Sequence, residues 1–264
     1  MPFKGCRLVL QPFFVYLIPM TEKPLINPVR EKNEPLLPAS GIIYINPGDI
    51  YRISAILENR NATSHFFFNS RLYTVADDHS GAFFVAGPAI GAPMAVMALE
   101  KLIALGARKV LVYGWCGSLC KDIEIGTLLL PTWGIPGEGT SSYYPGRENP
   151  ASSETLRMDL ETYFTANGIS YSSGPVWSTD GVYRETTDKL AELSAKQIMG
   201  VDMEFTALAR VAEFRNIDLA AAFLVSDNLW GEKWVAGFHQ EAFRKMNKHI
   251  STKLLDAAQF LNQV

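Results

Sequence analysis

Residues 83–113 read FFVAGPAIGAPMAVMALEKLIALGARKVLVY, and this stretch decides the fold. Residues 83–86 are a short apolar run typical of a buried strand, and a tight loop of glycine and proline follows them. The spacing of apolar residues over Ala92–Leu105 predicts a helix, and Gly106 ends it. Residues 110–113 form a second buried strand. Strand, helix and strand make one βαβ crossover, which implies a pair of parallel strands.

The alternation of strands and helices continues on both sides of this unit. We predict that residues 72–75 and 82–86 are strands paired around a turn at 77–81. The other predicted elements are a strand at 42–45, a helix capped by Asp49, a strand at 125–130, a long loop at 132–149, a helix at 155–167, a strand at 173–177, a helix at 202–215, a strand at 219–225 and a helix at 241–263. This order predicts an α/β fold, a three-layer α/β/α sandwich with a mixed central sheet.

Length and composition exclude several classes of protein. The chain has 264 residues, of which 48% are apolar and 19% charged, so it can bury a large core. Because no linker or internal repeat is visible, we predict a single domain at 42–264, preceded by an N-terminal extension and lead-in at 1–41. The net charge is −3 and no basic stretch stands out, so we expect no nucleic-acid partner. Three scattered cysteines predict neither a disulfide framework nor a metal site.

The first twenty residues contain an apolar run behind Lys4 and Arg7, as a signal peptide would. Gln11, Pro12 and Pro19 interrupt the run, and no small-residue cleavage site follows it. The run is also too short and too broken to span a membrane. We therefore expect a cytoplasmic protein with an added N-terminal segment and no membrane partner. The alternative is an upstream start codon, with Met20 as the true beginning.

Two acidic motifs stand where predicted elements begin or end. Glu204, in VDME at 201–204, enters a predicted helix, where the helix dipole alone would favour an acid. Asp227, in FLVSDN at 223–228, follows an apolar strand, at the position where open α/β sheets place their ligands. An Asx turn or a helix cap would also explain Asp227. In a site, its carboxylic acid could protonate a leaving base.

Two motifs containing glycine suggest that a ligand approaches the backbone closely. Gly48, in PGDIYR at 47–52, would admit an anion, and Arg52 offers a forked donor for it. Turns with a nearby arginine are common, so this motif is weak alone. The strand that runs into GWCG at 114–117 would let a flat ligand lie along it, or would form a turn with Trp115 packed. The six-residue glycine pattern of dinucleotide-binding proteins is absent.

In this order and spacing, the four motifs resemble the nucleoside phosphorylase family. The branch that they resemble contains uridine phosphorylase, hexameric purine nucleoside phosphorylase and methylthioadenosine nucleosidase. The matching pieces are INPGDIYR, AIGAPMAVMALEKLIALGARKVLVYGWCGSL, DIEIGTLLLP, VWSTDGVY, VDMEFTALA and FLVSDN, which together cover nearly the whole chain after residue 42. No single piece is decisive, but six pieces in register make a chance similarity improbable.

The resemblance implies a role for each matched residue. It implies a catalytic pair, in which Asp227 meets N7 of a purine and Glu204 holds the ribose hydroxyls. The residues that it implies for substrate binding are Met203, Cys116, Gly117, Trp115, Val182 and Ser226. Those that it implies for phosphate are Gly48, Arg52 and Arg71, the last reaching the phosphate site of a neighbouring subunit. It further implies phosphate as co-substrate, no metal or organic cofactor, and a homodimer or homohexamer.

Several positions depart from the family's pattern. Val112 stands where the phosphorylases carry an arginine that grips phosphate, Trp115 stands where they carry serine or threonine, and Met94 replaces a serine. Val182 stands at the position of the base-stacking phenylalanine. The aromatic residues that could replace that ring are Tyr183, Trp115, Trp177 and Tyr143.

Three functional hypotheses follow from these residues. The first is a phosphorylase that converts a purine-type or uridine-type nucleoside to free base and pentose 1-phosphate, as Arg52, Arg71 and Asp227 suggest. The second is a nucleosidase that uses water, as Val112 and Trp115 suggest. The third is a non-catalytic relative that binds a nucleoside; the presence of both Glu204 and Asp227 argues against it.

Overall fold

The computed structural model describes residues 24–68, 70–76 and 81–261. The predicted segment at 1–20 and most of the predicted turn at 77–81 lie outside these residues. The strands are β1 (Ser40–Tyr44), β2 (Thr63–Phe67), β3 (Ser70–Val75), β4 (Phe83–Gly87), β5 (Lys109–Ser118), β6 (Leu128–Gly137), β7 (Tyr171–Thr179), β8 (Gly200–Asp202), β9 (Asp218–Asn228) and β10 (Val235–Ala236). The helices are α1 (Pro47–Glu58), α2 (Ala92–Leu105), α3 (Glu154–Ala166), α4 (Thr187–Ala195), α5 (Phe205–Arg215) and α6 (Glu241–Phe260), with 3-10 helices at Thr140–Tyr143 and Val182–Arg184.

All of these strands belong to one mixed sheet. Its order is β10-β9-β6-β7-β8-β5-β1-β4-β3-β2, and β5 also pairs with β9, which closes β5, β9, β6, β7 and β8 into a ring. Within the ring, β5–β9, β6–β7 and β7–β8 are parallel, whereas β9–β6 and β5–β8 are antiparallel. The predicted mixed central sheet is therefore confirmed.

Two hydrophobic clusters separate the sheet from the helices on its two faces. Along β9, Leu219, Ala221 and Phe223 enter the cluster that includes α2 and α5. The residues between them, Ala220 and Ala222, enter the cluster that includes α1, α3 and α6. Because side chains alternate along a strand, one apolar run feeds both clusters, and the predicted three-layer arrangement is confirmed.

The unit that decides the fold forms as predicted. Strands β4 and β5 both pair in parallel with β1, which lies between them, and α2 makes the crossover. Gly106 ends α2 with φ of 127°, a conformation that side chains rarely allow, and its N–H bonds to the carbonyls of Leu102 and Ile103. The predicted pairing of residues 72–75 with 82–86 is also confirmed, as the antiparallel pair β3–β4.

Several elements differ from the prediction. Helix α1 begins at Pro47 rather than after Asp49, because proline suits the first helical position and Asn46 takes the cap position. Strand β6 starts later than predicted and runs on through Gly137, into the predicted loop, because it follows β7 as far as Thr179. Asp202, the first residue of a predicted helix, instead ends the short strand β8. Strands β2, β8 and β10 and helix α4 have no counterpart in the prediction.

None of the helices in the described ranges combines the length and the apolar character that a membrane span requires.

Candidate active site

Three of the predicted motifs meet where β5 ends. Gly117 on β5 lies opposite Val201 of β8 on one side and Asp227 of β9 on the other. Between Cys116 and Gly117 the register with β9 shifts by one residue, so that Ser226 of β9 has no residue opposite it on β5. A bulge of this kind turns the strand and re-aims its side chains. The sheet thus brings to one place the acidic motif and the motifs that were predicted to bind a base and a sugar.

Both carboxylate oxygens of Asp227 accept a hydrogen bond. The hydroxyl of Ser226 donates to Oδ1 at 2.6 Å, and the indole Nε1 of Trp234 donates to Oδ2 at 2.8 Å. Gly117 faces the same group: a Cβ there would lie 3.1 Å from Oδ2 and 2.6 Å from the side chain of Leu229. The strand therefore passes Asp227 closely, and it can do so because position 117 has no side chain.

A second acid, Glu185, stands beside Asp227. It follows the 3-10 helix Val182–Arg184 and is half-buried. Burial, and then the charge of Asp227, raise the pKa of Glu185 to about 7. The structure thus has two carboxyl groups, Glu185 and Asp227, close to the end of β5, where the sequence analysis assigned one. We call this part of the candidate site its base end.

Glu204 is buried at the N-cap position of α5, but its side chain makes no capping hydrogen bond to that helix. Its Oε1 accepts the N–H of Gly91, at the N-terminus of α2, at 2.6 Å. The group that holds the start of α5 is Asp202, whose Oδ2 accepts the N–H groups of Glu204 at 2.7 Å and Phe205 at 2.6 Å. The sequence also allowed Glu204 to be an acid that is stabilised by the dipole of its own helix. Its side chain does not have that role, because it bonds to the N-terminus of α2 instead.

Asp202 and Glu204 are neighbouring buried carboxyls, and a negative charge on one disfavours a negative charge on the other. Burial raises the pKa of both carboxyls, and the negative charge of Asp202 further raises that of Glu204. Asp202 also accepts the hydroxyl of Ser178 at 2.6 Å, so three donors stabilise its ionised form. Glu204 has the single strong donor Gly91, and we therefore assign the proton of this pair to Glu204.

The predicted phosphate residues lie at the start of α1. Gly48 is exposed in the first turn, and a Cβ built there would touch nothing within 4 Å. Arg52 is engaged inside the molecule: it bonds to the buried carboxylate of Asp49 and, at 2.9 Å, to the hydroxyl of Ser251 on α6. Burial raises the pKa of Asp49, and Asn247 of α6 donates to it at 2.7 Å.

Trp115 belongs to the same network as Arg52. Its indole donates to Oδ1 of Asn247 at 3.1 Å, beside the hydroxyl of Tyr113 at 2.7 Å, and its ring packs edge-on against Phe243. Val112, where the family carries an arginine, is buried in the core. Trp115 and Arg52 therefore meet through α6, which the sequence analysis did not connect with the site.

A family comparison identifies the architecture around these residues. Residues 41–259 match the model of the phosphorylase superfamily. The chain belongs to this superfamily. The predicted relationship to nucleoside phosphorylases is confirmed, because curated relatives of this chain are named as nucleoside phosphorylases.

Two curated relatives illustrate the similarity. A guanosine phosphorylase of Halorubrum lacusprofundi is 26% identical over 189 residues, which cover 71% of this chain and 78% of the relative. A DeoD-type purine nucleoside phosphorylase of Bacillus cytotoxicus is 26% identical over 166 residues, which cover 61% of this chain and 71% of the relative.

Two solved structures share the fold of this superfamily member. The uridine phosphorylase of Vibrio fischeri ES114 superposes with a TM-score of 0.72, and the purine nucleoside phosphorylase of Toxoplasma gondii, in complex with immucillin-H, with a TM-score of 0.76. Each is 21% identical in sequence, and each alignment covers 86% of this chain and 93% of the other.

Three other predicted residues of this superfamily member have hydrogen bonds or exposure of their own. Arg71 is exposed on β3, where its guanidinium stacks over Tyr51 at 4.9 Å and donates to the hydroxyl of Tyr73 at 3.2 Å. Val182 is 45% exposed in its 3-10 helix. Met203 is half-buried between β8 and α5. No hydrogen bond in the described part of the chain joins Arg71 to Gly48 or Arg52.

Sequence reasoning missed several residues of the site. They are Trp234, Glu185, Asp202, Asp49 and Asn247. A signal existed for Trp234, since the stretch NLWGEKW after Asp227 contains a glycine between apolar residues, as a hairpin turn does. No local signal marks Asn247, because it is one polar residue on the face of a long amphipathic helix.

Proposed function

We propose that this chain is a nucleoside phosphorylase acting on a purine-type nucleoside. One observation carries the proposal: the end of β5 has Asp227 on one side and the strand leading to Glu204 on the other. A base lying along Cys116 and Gly117 would then have an acid at its edge and a second carboxyl at its sugar. The names of the curated relatives, a guanosine and a purine nucleoside phosphorylase, support the same reaction class.

The proposed reaction breaks the bond between C1′ of the sugar and the ring nitrogen of the base. The electron pair of that bond leaves with the base, and a proton delivered through Asp227 to N7 neutralises it. Positive charge then develops on the sugar, where Glu204 holds the hydroxyls and, when ionised, opposes that charge. An oxygen of phosphate forms the new bond to C1′. The products are free base and pentose 1-phosphate.

In this proposal phosphate enters beside Gly48 and Arg52. The exposed backbone at Gly48 leaves room for an anion, and Arg52 is the nearest guanidinium on the same helix. Ser226 and Met203 would contact the base and the sugar, and Val182 would cover the base. The chemistry asks only for an acid, a sugar-binding carboxyl and phosphate, so we propose that no metal or organic cofactor takes part.

We also propose a cytoplasmic homodimer or homohexamer. Arg71 supports an assembly, because its guanidinium is exposed and rests on Tyr51 rather than on an acid of its own subunit. Across a two-fold interface it would reach the phosphate site of the neighbour. Light scattering should therefore give a multiple of the 29.3 kDa chain mass, and Arg71→Gln should weaken phosphate use without changing that mass.

A nucleosidase is the second candidate. Val112 is buried core, Trp115 is bonded to Asn247, and Arg52 is bonded to Asp49, so the phosphate end offers fewer free donors than the base end. Water would then collect the sugar, and free pentose would be the product.

One experiment separates the candidates. The protein is incubated with purine and pyrimidine nucleosides, with and without phosphate, and the released sugar is identified by mass spectrometry. We expect pentose 1-phosphate, formed only when phosphate is present. Free pentose in phosphate-free buffer would assign the nucleosidase instead. Binding of a nucleoside without turnover under either condition would leave only the non-catalytic relative.

A further inference from the structure

A hairpin that follows β9 closes over Asp227. Strand β10 pairs antiparallel with the end of β9, with Ala236 opposite Asp227. The N–H of Gly237 bonds to the carbonyl of Ser226 at 2.8 Å. A Cβ on Gly237 would lie 2.7 Å from that carbonyl oxygen and 2.3 Å from the side chain of Ile125, so only glycine allows the hairpin to approach this closely.

The hairpin brings Trp234 to the acid. The ring is 60% exposed and rests on Phe238, with 6.0 Å between ring centroids. Indole has a single polar atom, and Trp234 uses it to donate to Oδ2 of Asp227 at 2.8 Å. An exposed tryptophan gains little by burial, so its contact with Asp227 is the feature of this side chain that needs explaining.

The two donors on Asp227 together fix its orientation. Ser226 holds Oδ1 and Trp234 holds Oδ2, so rotation of the carboxylate about its bond to Cβ would break both hydrogen bonds. Glu185 supplies a force for such rotation, because burial first, and then the charge of the nearby Asp227, raise its pKa to about 7. Without Trp234, repulsion from an ionised Glu185 would turn Asp227 away from the base.

We propose that Trp234 is a positioning residue, which holds the plane of the Asp227 carboxyl in line with the base nitrogen that receives the proton. This role rests on the proposed function. Proton transfer is sensitive to alignment, and a misplacement of about 1 Å can lower a rate roughly 100-fold. Trp234 does not touch the reacting atoms in this role; it acts through Asp227.

The test compares two substrates that differ in their need for a proton. A plain purine nucleoside, guanosine or inosine, needs protonation at N7 as its base leaves. In 7-methylguanosine that nitrogen already carries a methyl group and a positive charge, so the electron pair of the broken bond neutralises the base without an acid. We expect Trp234→Phe to lower kcat on the plain nucleoside about 10-fold or more, with KM nearly unchanged. On 7-methylguanosine we expect a change of less than about 2-fold, since no proton has to be aligned.

Two further variants make the comparison strict. Trp230→Phe is the matched control, because Trp230 lies in the same hairpin, is 44% exposed and has no hydrogen bond to Asp227 in the described structure; both substrates should be turned over normally. Ser226→Ala releases the other oxygen of Asp227 and should produce the same split between substrates as Trp234→Phe.

Each contrary result has a distinct meaning. Equal losses on both substrates would show that Trp234 only shapes the pocket, and unchanged kcat on both would show that it has no role; either result overturns the proposal. If wild-type protein cleaves neither substrate, the proposed function itself fails and the role of Trp234 falls with it. If Trp234→Phe does not fold, Trp234→Leu takes its place, and equal losses on both substrates in that variant overturn the proposal alone.

Discussion

The base end of the candidate site and its phosphate end are held in different ways. At the base end, Asp227 and Glu204 accept donors that lie close to where a substrate would bind, namely Ser226, Trp234 and the N–H of Gly91. At the phosphate end, the charged side chain turns inward. Arg52 is bonded to a buried aspartate and to the serine of α6.

This difference shows that the two ends need different changes when a substrate arrives. A nucleoside can join the hydrogen bonds of Asp227 and Glu204, because a carboxylate oxygen accepts more than one donor. Phosphate can use the Nη2 group of Arg52 only by sharing it with Asp49 and Ser251 or by displacing them. Under the proposed function, the base end would therefore take its ligand as it stands, whereas the phosphate end would have to rearrange.

The largest effect should come from Asp227→Asn, which keeps the shape of the base end and removes its acid. We expect kcat/KM on a purine nucleoside to fall about 10²- to 10⁴-fold, the usual contribution of general acid catalysis. The pKa of Glu185, about 7 beside Asp227, should fall towards its ordinary value, because a negative charge that raised it is gone. Steady-state kinetics and an NMR titration of Glu185 measure these effects. Asp122→Asn, at an exposed position, is the control and should change neither. Full activity of Asp227→Asn would remove the acid from the mechanism.

The next effect in size is that of Glu204→Gln, which tests the sugar side of the same end. Above the raised pKa of Glu204, about 8, where its carboxyl is ionised, we expect activity to fall about 100-fold, because the charge that opposes the sugar cation is lost. Stability should change in the opposite direction. Burial raises the pKa of Glu204 from its ordinary 4.5, so the folded state binds more protons than the unfolded state, and wild-type stability falls as the pH rises above that value.

Glutamine has no proton to lose, so Glu204→Gln escapes this decline. We expect it to match the wild type below about pH 4, where Glu204 is protonated in both the folded and the unfolded state, and to gain on it at higher pH by about 1.4 kcal/mol for each unit by which folding raises the pKa of Glu204. A series of Tm measurements across this range gives the difference. A stability gap that is constant with pH would mean that Glu204 is ionised throughout.

The meeting of the two motifs at the proposed base end could be predicted from the sequence for a structural reason. Cys116-Gly117 and Ser226-Asp227 sit at the ends of long apolar strands, and a parallel pair such as β5–β9 brings such ends together. Trp234 escaped because β10 has only two residues, too few to show the alternation of a strand. Asp202 was assigned to a helix because an acid before an apolar run resembles a helix start, whereas pairing with β7 and β5 makes it a strand residue.

The phosphate end was harder to predict, because it depends on contacts between residues far apart in the chain. Gly48 and Arg52 are adjacent on α1, but Asn247 and Ser251 come from α6, almost 200 residues later. Asp49 was assigned as a helix cap, whereas it is a buried partner of Arg52. Helical periodicity places these residues of α6 on its buried face, but it does not show which side chain they meet.

A smaller effect should follow from Arg52→Gln at the phosphate end. If Arg52 reaches phosphate after rearrangement, KM for phosphate should rise about 10-fold, which is roughly 1.4 kcal/mol of binding. The variant also leaves Asp49 buried without its cation, so we expect a loss of about 2–3 kcal/mol in the free energy of unfolding. The double variant Asp49→Asn, Arg52→Gln should recover most of that stability but not the phosphate affinity.

Chemical denaturation and phosphate-dependent kinetics measure the two consequences of Arg52→Gln separately. Arg60→Gln is the matched control, since the pair of Arg60 with Asp256 on α6 is exposed and should contribute less than about 1 kcal/mol. An unchanged KM for phosphate in Arg52→Gln would restrict this arginine to a structural role and would favour water as the nucleophile.

The smallest effect should come from Gly48→Ala. This substitution separates an effect on phosphate binding from an effect on stability. The added methyl group meets no atom within 4 Å, and the residue lies in the first turn of α1, so we expect stability to stay the same or rise by about 0.5 kcal/mol. If an anion approaches this backbone, the methyl group should still raise KM for phosphate about 3-fold, by crowding a ligand that is absent from the free protein. Gly168→Ala is the opposite control: its φ of 65° makes the substitution cost about 1 kcal/mol, while its KM for phosphate should not change. A Gly48→Ala variant with the wild-type KM for phosphate would mean that the anion does not approach Gly48. The phosphate would then bind at another place than the start of α1.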